Sequence, residues 1–499
     1  MTLLAHLPPL QMVLPLMAGP VCLLLGRPRL CAVWALAVAG ACLAIALTLL
    51  GQILDTGVIS YHVGGWEPPW GIELRLDALS GLMLSLVSAI AVVVLLYAPA
   101  SVRHEIPADR QGLFYTLFLL NLAGLLGMCT TGDAFNLFVF LEISSLSTYT
   151  LVSLGRGRSA LRAAYVYLVL GTVGATFYVI GLGLLYMITG TLNMVDLAQH
   201  LVNADNPRTL LVGAGFVVVG LSIKLALFPL HKWLPGAYTH APSVVSAFMA
   251  ATGTKVALYV LLRLAFTVLA PSFSALHLPH PVTVEGMALI LGLTGMISAS
   301  VSAFLQTDLK RMLAYSSVAQ IGLMVAGAAL LTPTSVTGSL VHLINHAVLK
   351  ATVFLALGGV LMRLGSVRLE DLAGAGRRLP LTMGAFLLGA LSLVGIPGTA
   401  GFIGKWTLLL AALEQDRWGV AVLIGAGSLL TLAYVWRVVE VAWLRPAPAQ
   451  AARVPEIPLS MLVPLGVVGV ANLVFGVYTA PTLGLARAAS TALLGGATP

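Results

Sequence analysis

The chain has 499 residues, of which 59% are apolar and 9% charged, with a net charge of +8. So few charges could not cover a water-soluble fold of this length, which excludes a soluble enzyme; the excess charge need not mean nucleic acid, and its distribution points to membrane orientation. Long apolar runs recur from end to end, each near the ~20 residues that a helix needs to cross a hydrocarbon core, and the alternation expected of a membrane β-barrel is missing.

Hydropathy predicts an all-α polytopic membrane protein with about fourteen transmembrane helices, over 8–26, 31–54, 77–99, 112–130, 133–154, 160–188, 208–234, 242–270, 284–304, 312–332, 335–363, 380–412, 418–444 and 459–479. The first run lacks the basic start and small-residue cleavage site of a removable signal and is taken as a retained helix. Cys22, Cys31, Cys42 and Cys129 lie in apolar segments without CxxC spacing and imply neither disulfide nor metal site. The loop 55–76 holds GGWEPPWG, whose aromatics and prolines suit a membrane interface. With the N-terminus placed outside, only Arg75, Arg208, Arg417 and Arg487 fall in outer loops. Six bases lie within helices, and the other sixteen of the 26 lysines and arginines fall inside. This bias supports the count and places both termini on the outer side of the cell membrane.

The six embedded bases are Lys224, Lys255, Arg263, Lys350, Lys405 and Arg437. Among the acids Glu142, in VFLEISSLSTY, is the deepest: it follows Asp133 by nine residues, ~13 Å along a helix. Charges at such depth face a hydrated interior, pair with one another and mark ion paths. Glu142 with Lys224 reads either as a structural ion pair or as a pair whose charge switches. Four of the six bases are lysines, which can carry protons where arginine cannot. Arg263 and Arg437, with Glu440, lie towards helix ends and are expected to snorkel.

Two segments combine a lysine with helix breakers. In SIKLALFPLHKWLPGAYTHAPS (222–243), Lys224 precedes Pro229 and two further prolines; in VGIPGTAGFIGKW (394–406), Pro397 and several glycines precede Lys405. Broken membrane helices are tolerated where they line cavities, and one in each half marks inverted-repeat transporters. The expected organisation is 1–105, the first three helices; 106–271, a first repeat of helices four to eight; 272–445, a second, inverted repeat of helices nine to thirteen; and 446–499, the last helix and tail.

In HLINHAVLK (342–350), His342, His346 and Lys350 share one helical face at i, i+4 and i+8. The stripe reads as a proton relay, as helix–helix hydrogen bonding, or as a metal site, the last disfavoured because no acid or cysteine is near in sequence. His240 either connects the lysines to inner water or caps a helix, and Asp308 is expected to cap a helix or form an ion pair. No phosphate-binding loop, dinucleotide motif or cysteine cluster occurs, so no cofactor and no metal is expected on this chain.

Five motifs in order, TGDAFNLFVFLEISSLSTY, KLALFPLHKWLPGAYTHAPS, LKRMLAYSSVAQIG, HLINHAVLK and GIPGTAGFIGKW, resemble the antiporter-like subunits shared by respiratory complex I, membrane-bound hydrogenases and Mrp-type multisubunit cation/proton antiporters. The resemblance covers about 75–480. It implies a charge-modulating pair, Glu142 and Lys224, a central axis through Lys255, His342 and His346, and completion at Lys405, with Lys350 in the same histidine motif. One complex I subunit type carries glutamate where Lys405 stands. The stretch GGWEPPWGIELRLDALSGLML and the length look most like the D-type subunit of the Mrp antiporters. That implies a proton-translocating subunit of a Na⁺(K⁺)/H⁺ antiporter, packed against sibling membrane subunits in the lipid bilayer. The alternative is a proton-pumping subunit of a complex I-like NADH:quinone oxidoreductase or membrane-bound hydrogenase.

Overall fold

A computed structural model describes residues 3–203, 206–270, 283–447 and 454–495. The expected boundary between repeats at 271/272 and the inner-loop Arg453 lie outside the described residues. In chain order the main helices are α1 (Leu7–Leu25), α2 (Pro28–Thr56), α3 (Ala78–Glu105), α4 (Gln111–Thr130), α5 (Ala134–Ser153) and α6 (Gly157–Thr189). They continue with α7 (Met194–Val202), α8 (Pro207–Leu225), α9 (Trp233–His240), α10 (Ser243–Leu269), α11 (Val284–Phe304) and α12 (Leu309–Ala328). The last six are α13 (Pro333–Leu364), α14 (Pro380–Val394), α15 (Ala400–Glu414), α16 (Trp418–Leu444), α17 (Leu459–Val477) and α18 (Ala480–Leu493).

Among the described residues twelve helices are long and apolar enough to cross a membrane. The two other expected crossings fall on α12 and on the pair α14/α15. The Lys310–Arg311 start and the serines and glutamine of α12 lower its hydropathy, and the second run is interrupted. Both breaks foreseen from proline and glycine are present. The expected run 208–234 stops at Leu225, where Ala226 turns left-handed with φ 60°, and α9 follows the break. The run 380–412 stops at Val394, where Gly395 takes φ 89°. A side chain at Gly395 would be strained and would also press on Lys405 Cδ, 3.0 Å away.

Acids at helix starts act through the backbone. The carboxylates of Asp77, Asp133 and Asp308 accept from the amides of Ser80 (3.0 Å), Asn136 (2.6 Å) and Arg311 (2.9 Å), satisfying donors that a helix N-terminus leaves free. Asp308 is therefore a cap. The windows of α4, α10 and α13 are the most buried and form the centre of the bundle, whereas α2, α11 and α16 turn most of their surface outward. α10 is not a uniform α-helix: Met249–Gly253 and Leu264–Leu269 are π-helical.

Two features go beyond the expected series of crossings, and the first is not helical. β1 (Ile59–His62) and β2 (Glu73–Leu76) form an antiparallel hairpin with Ile59 opposite Leu76. Glu73 fastens it, accepting from Ser60 Oγ at 2.6 Å and from Asn193 Nδ2, at the start of α7, at 2.8 Å. Burial disfavours the Glu73 charge, but these hydrogen bonds and the Arg75 guanidinium outweigh it and hold the carboxyl below the usual carboxylate range. The tail also folds, as α18, which packs on α13 and α3.

Candidate functional site

Lys224 lies in the last turn of α8, directly before the break. Its ammonium donates to Ser145 Oγ and, at 2.9 Å, to Tyr149 OH, and sits 5.3 Å from the Tyr149 ring centroid. Both partners are on α5, the helix of Glu142, at i+3 and i+7 from it. Glu142 itself forms no ion pair with Lys224, and among the described residues its buried Oε1 has no hydrogen-bond partner. The expected contact pair is thus a pair of neighbours, with a hydroxyl taking the place of the carboxylate at the ammonium. The signal for Ser145 and Tyr149 was in the quoted motif, one and two turns beyond the glutamate.

A cavity opens beside Lys224 and runs to Thr252–Thr254 of α10. Asn121, Ser144, Ser145, Thr148 and Thr254 contribute its polar lining, and about 50 Å³ of it is accessible to a water molecule's centre. At ~10–15 Å³ of such space per molecule, that is room for a short water chain among polar partners. Lys255, 1% exposed, follows Thr254 in the chain and is not among the residues that line this cavity. Its ammonium donates to Ala250 O at 2.5 Å and to Thr254 Oγ1 at 3.4 Å. Ala250 belongs to the π-helical stretch, where the regular carbonyl pairing of an α-helix is suspended.

That stretch packs against α13, which carries the histidine stripe. His342, His346 and Lys350 are all fully buried. His342 Nε2 and Gln320 Oε1 are 2.8 Å apart, the two imidazoles stack at 5.9 Å, and among the described residues neither ring nitrogen of His346 has a partner. Lys350 donates to Leu313 O (2.7 Å) and Ser316 Oγ (2.5 Å) of α12. α13 in turn packs against α15, so closely that a side chain at Gly404 would lie 2.6 Å from His342 Cβ. One residue on, Lys405 reaches back across the second break and donates to Leu393 O (2.9 Å) and Val394 O (3.0 Å), the last carbonyls of α14.

The elements bearing Lys224, Lys255, the stripe and Lys405 therefore touch in series through the middle of the bundle. His240 stands apart, exposed at the end of α9. Arg263 does not snorkel: it forms a bidentate pair with Asp77 at 2.6 Å per bond and a third bond to Ser80 Oγ at 3.2 Å, fixing α10 to the start of α3. Sequence gave no cue for this pair, whose members lie 186 positions apart. Gln320 and Glu105 were also missed; Glu105 accepts from Ser243 N (2.9 Å) and Oγ (3.1 Å) and caps α10.

Broken helices and embedded lysines in a polytopic bundle define a transporter-like membrane subunit. Residues 131–431 match the family model described as NADH:quinone oxidoreductase/Mrp antiporter, TM, and the chain belongs to that family. It is 43% identical over 489 residues to the N-type subunit of the NADH-quinone oxidoreductase of Desulforudis audaxviator, covering 95% of this chain and 96% of that one. It is 32% identical over 390 residues to the D-type subunit of the Na⁺/H⁺ antiporter of Alkalihalophilus pseudofirmus, covering 78% and 77%. Among solved structures, a chain of the Mrp complex from Dietzia sp. DQ12-45-1b superposes with a TM-score of 0.89 at 27% identity, over 100% of this chain and 98% of that one. The leaning toward the D-type Mrp subunit is thus not favoured over the complex I alternative, whose relative is the more similar in sequence.

Proposed function

We propose that the chain is the proton-translocating, antiporter-like membrane subunit of a complex I-like, redox-driven complex. The observation that carries proton translocation is the way the four embedded lysines are held. Each ammonium is bound by hydroxyls or backbone carbonyls, and among the described residues none is within ion-pair distance of a carboxylate. A lysine so held can give up its proton without stranding a buried anion beside it. Lys224, the cavity waters, Lys255, the His346–His342 pair and Lys405 then form the path, with Lys350 beside it and Glu142 biasing Lys224 from one turn away. The arginine-rich turns face the cytoplasm, both termini face outward, and the two breaks belong to inverted repeats over 106–271 and 272–445.

The redox-driven reading is supported by the 43% relative over nearly the full chain. Electron transfer would take place on partner subunits. Glu142 lies on a stripe with the exposed Phe135, Val139 and Leu146, at helical spacing, and a sibling subunit covering that stripe would shield the carboxylate from lipid. A second reading, the Mrp-type cation/proton antiporter, is favoured by the superposition on the Mrp complex.

The test is proton flux in inverted vesicles containing the whole complex, with and without an electron donor and with and without Na⁺, for the wild type and Glu142→Gln. Flux that needs the donor and falls in the variant supports the redox-driven pump. Na⁺-dependent flux without a donor assigns the antiporter instead, and flux unchanged in Glu142→Gln removes that residue from the path.

A further inference from the structure

On the arginine-rich side of the bundle, away from the lysine axis, three chain segments close around an open pocket of about 360 Å³. The turn between α11 and α12 gives Thr307, the turn after α13 gives Arg368 and Glu370, and the end of α16 gives Arg437, Glu440 and Arg445. The first two segments are braced by backbone bonds, Leu309 N to Val367 O at 3.0 Å and Leu369 N to Thr307 O at 2.8 Å. The rim is therefore built, not improvised by mobile side chains.

The arginines are incompletely matched. Arg445 pairs with Glu440 at 3.0 Å, and Arg368 only grazes Glu370 at 4.0 Å. Among the described residues Arg437 has no carboxylate partner: it lies 5.0 Å over the Phe304 ring and donates to the Phe304 carbonyl, with further guanidinium N–H groups unpaired there. Three guanidinium groups against two carboxylates suit an added anion, and arginine suits phosphate through its forked donors. Beside the pocket, Phe304, Leu305, Trp436 and Leu444 are exposed. A charged pocket bordered by apolar side chains at the end of membrane helices fits a ligand with a phosphate head and an acyl body.

We propose that this pocket binds the phosphate of an anionic phospholipid from the adjoining leaflet. The headgroup phosphate lies against Arg437 and Arg368, and the chains cover Phe304, Leu305, Trp436 and Leu444. The site is independent of which complex the subunit serves.

The experiment titrates the delipidated complex with phosphatidylglycerol, phosphatidylcholine or inorganic phosphate and counts bound lipid by native mass spectrometry. Phosphatidylglycerol is expected to be retained in preference to phosphatidylcholine. Each arginine removed should weaken retention about fivefold, so Arg368→Gln with Arg437→Gln loses about 25-fold. Glu370→Gln keeps every arginine and should tighten retention, which decides the matter even where the double variant fails to assemble. Equal retention of phosphatidylcholine, or no response to Glu370→Gln, overturns the proposal. Displacement of the lipid by millimolar inorganic phosphate also overturns it, because the site would then serve a soluble anion.

Discussion

Gly404→Ala tests whether the contact between α13 and α15 transmits protons or merely packs helices. The added methyl would lie 2.6 Å from His342 Cβ, 2.7 Å from its Cα and 2.9 Å from its backbone nitrogen, where ordinary contact begins at 3.4 Å. The obstacle is largely backbone, so the helices must part by the difference, about 0.8 Å. If α15 moves, Lys405 is drawn away from carbonyls at 2.9 and 3.0 Å, to lengths at which those bonds no longer exist. If α13 moves, the 2.8 Å contact of His342 with Gln320 is disturbed instead. Overpacking of this kind costs ~1–3 kcal/mol in stability, and ~1.4 kcal/mol added to a transfer barrier slows it tenfold. The assay is donor-driven proton flux in vesicles, normalised to assembled complex. Flux in Gly404→Ala should fall at least about tenfold, while Gly425→Ala, with nothing within 4 Å of the new methyl, keeps wild-type flux. An assembled Gly404→Ala complex that pumps at the wild-type rate would refute the placement of this contact on the path.

Three further outcomes are expected. Lys224→Ala should abolish flux while the complex still assembles, because Ser145 keeps its own bond to Leu141 O; full activity would sink the charge-carrier role. Arg263→Gln should destabilise the chain by roughly 3–5 kcal/mol, since it strands Asp77 in a site only 13% exposed. Adding Asp77→Asn should restore part of that loss in a thermal melt, and simple additivity would show that the pair is not coupled. Glu73 has a lowered folded value, so its stabilisation is complete above the usual carboxylate range and is lost as pH falls through that lowered value. Hydrogen exchange in 59–76 should accelerate across that acidic window in the wild type and show no such step in Glu73→Gln.

The sequence announced helices and their interruptions because both are local properties. An apolar run long enough to cross lipid is visible in a window, and so are Pro229, Pro397 and Gly395. What it could not announce were partners brought from afar. Lys224 meets Ser145 and Tyr149 from more than 70 positions away, and Arg263 meets Asp77 across 186. Depth alone suggested that Glu142 would hold Lys224, but the nearest acceptors on that face of α5 are hydroxyls. The hairpin at 59–76 escaped notice for a different reason: two four-residue strands leave too short a period to register.

The irregular backbone and the embedded lysines explain one another. In an unbroken α-helix each carbonyl accepts from the amide four residues on and has little left for a side chain. Here the last four carbonyls of α14 are shared out: Leu391 and Ser392 accept from Gly395 N, and Leu393 and Val394 accept from Lys405. In the π-helical stretch of α10, Ala250 O likewise accepts from the Lys255 ammonium. The break before Gly395 and the π-helical stretch thus each present carbonyls to an ammonium in the middle of a membrane, and Lys405 and Lys255 satisfy carbonyls that lipid could not. Regularising either helix would strand the lysine and its acceptors together. That mutual dependence accounts for the glycine-marked break next to Lys405 and for the π-helical turn beside Lys255, whereas the ammonium of Lys224 is held across the bundle by Ser145 and Tyr149 of α5.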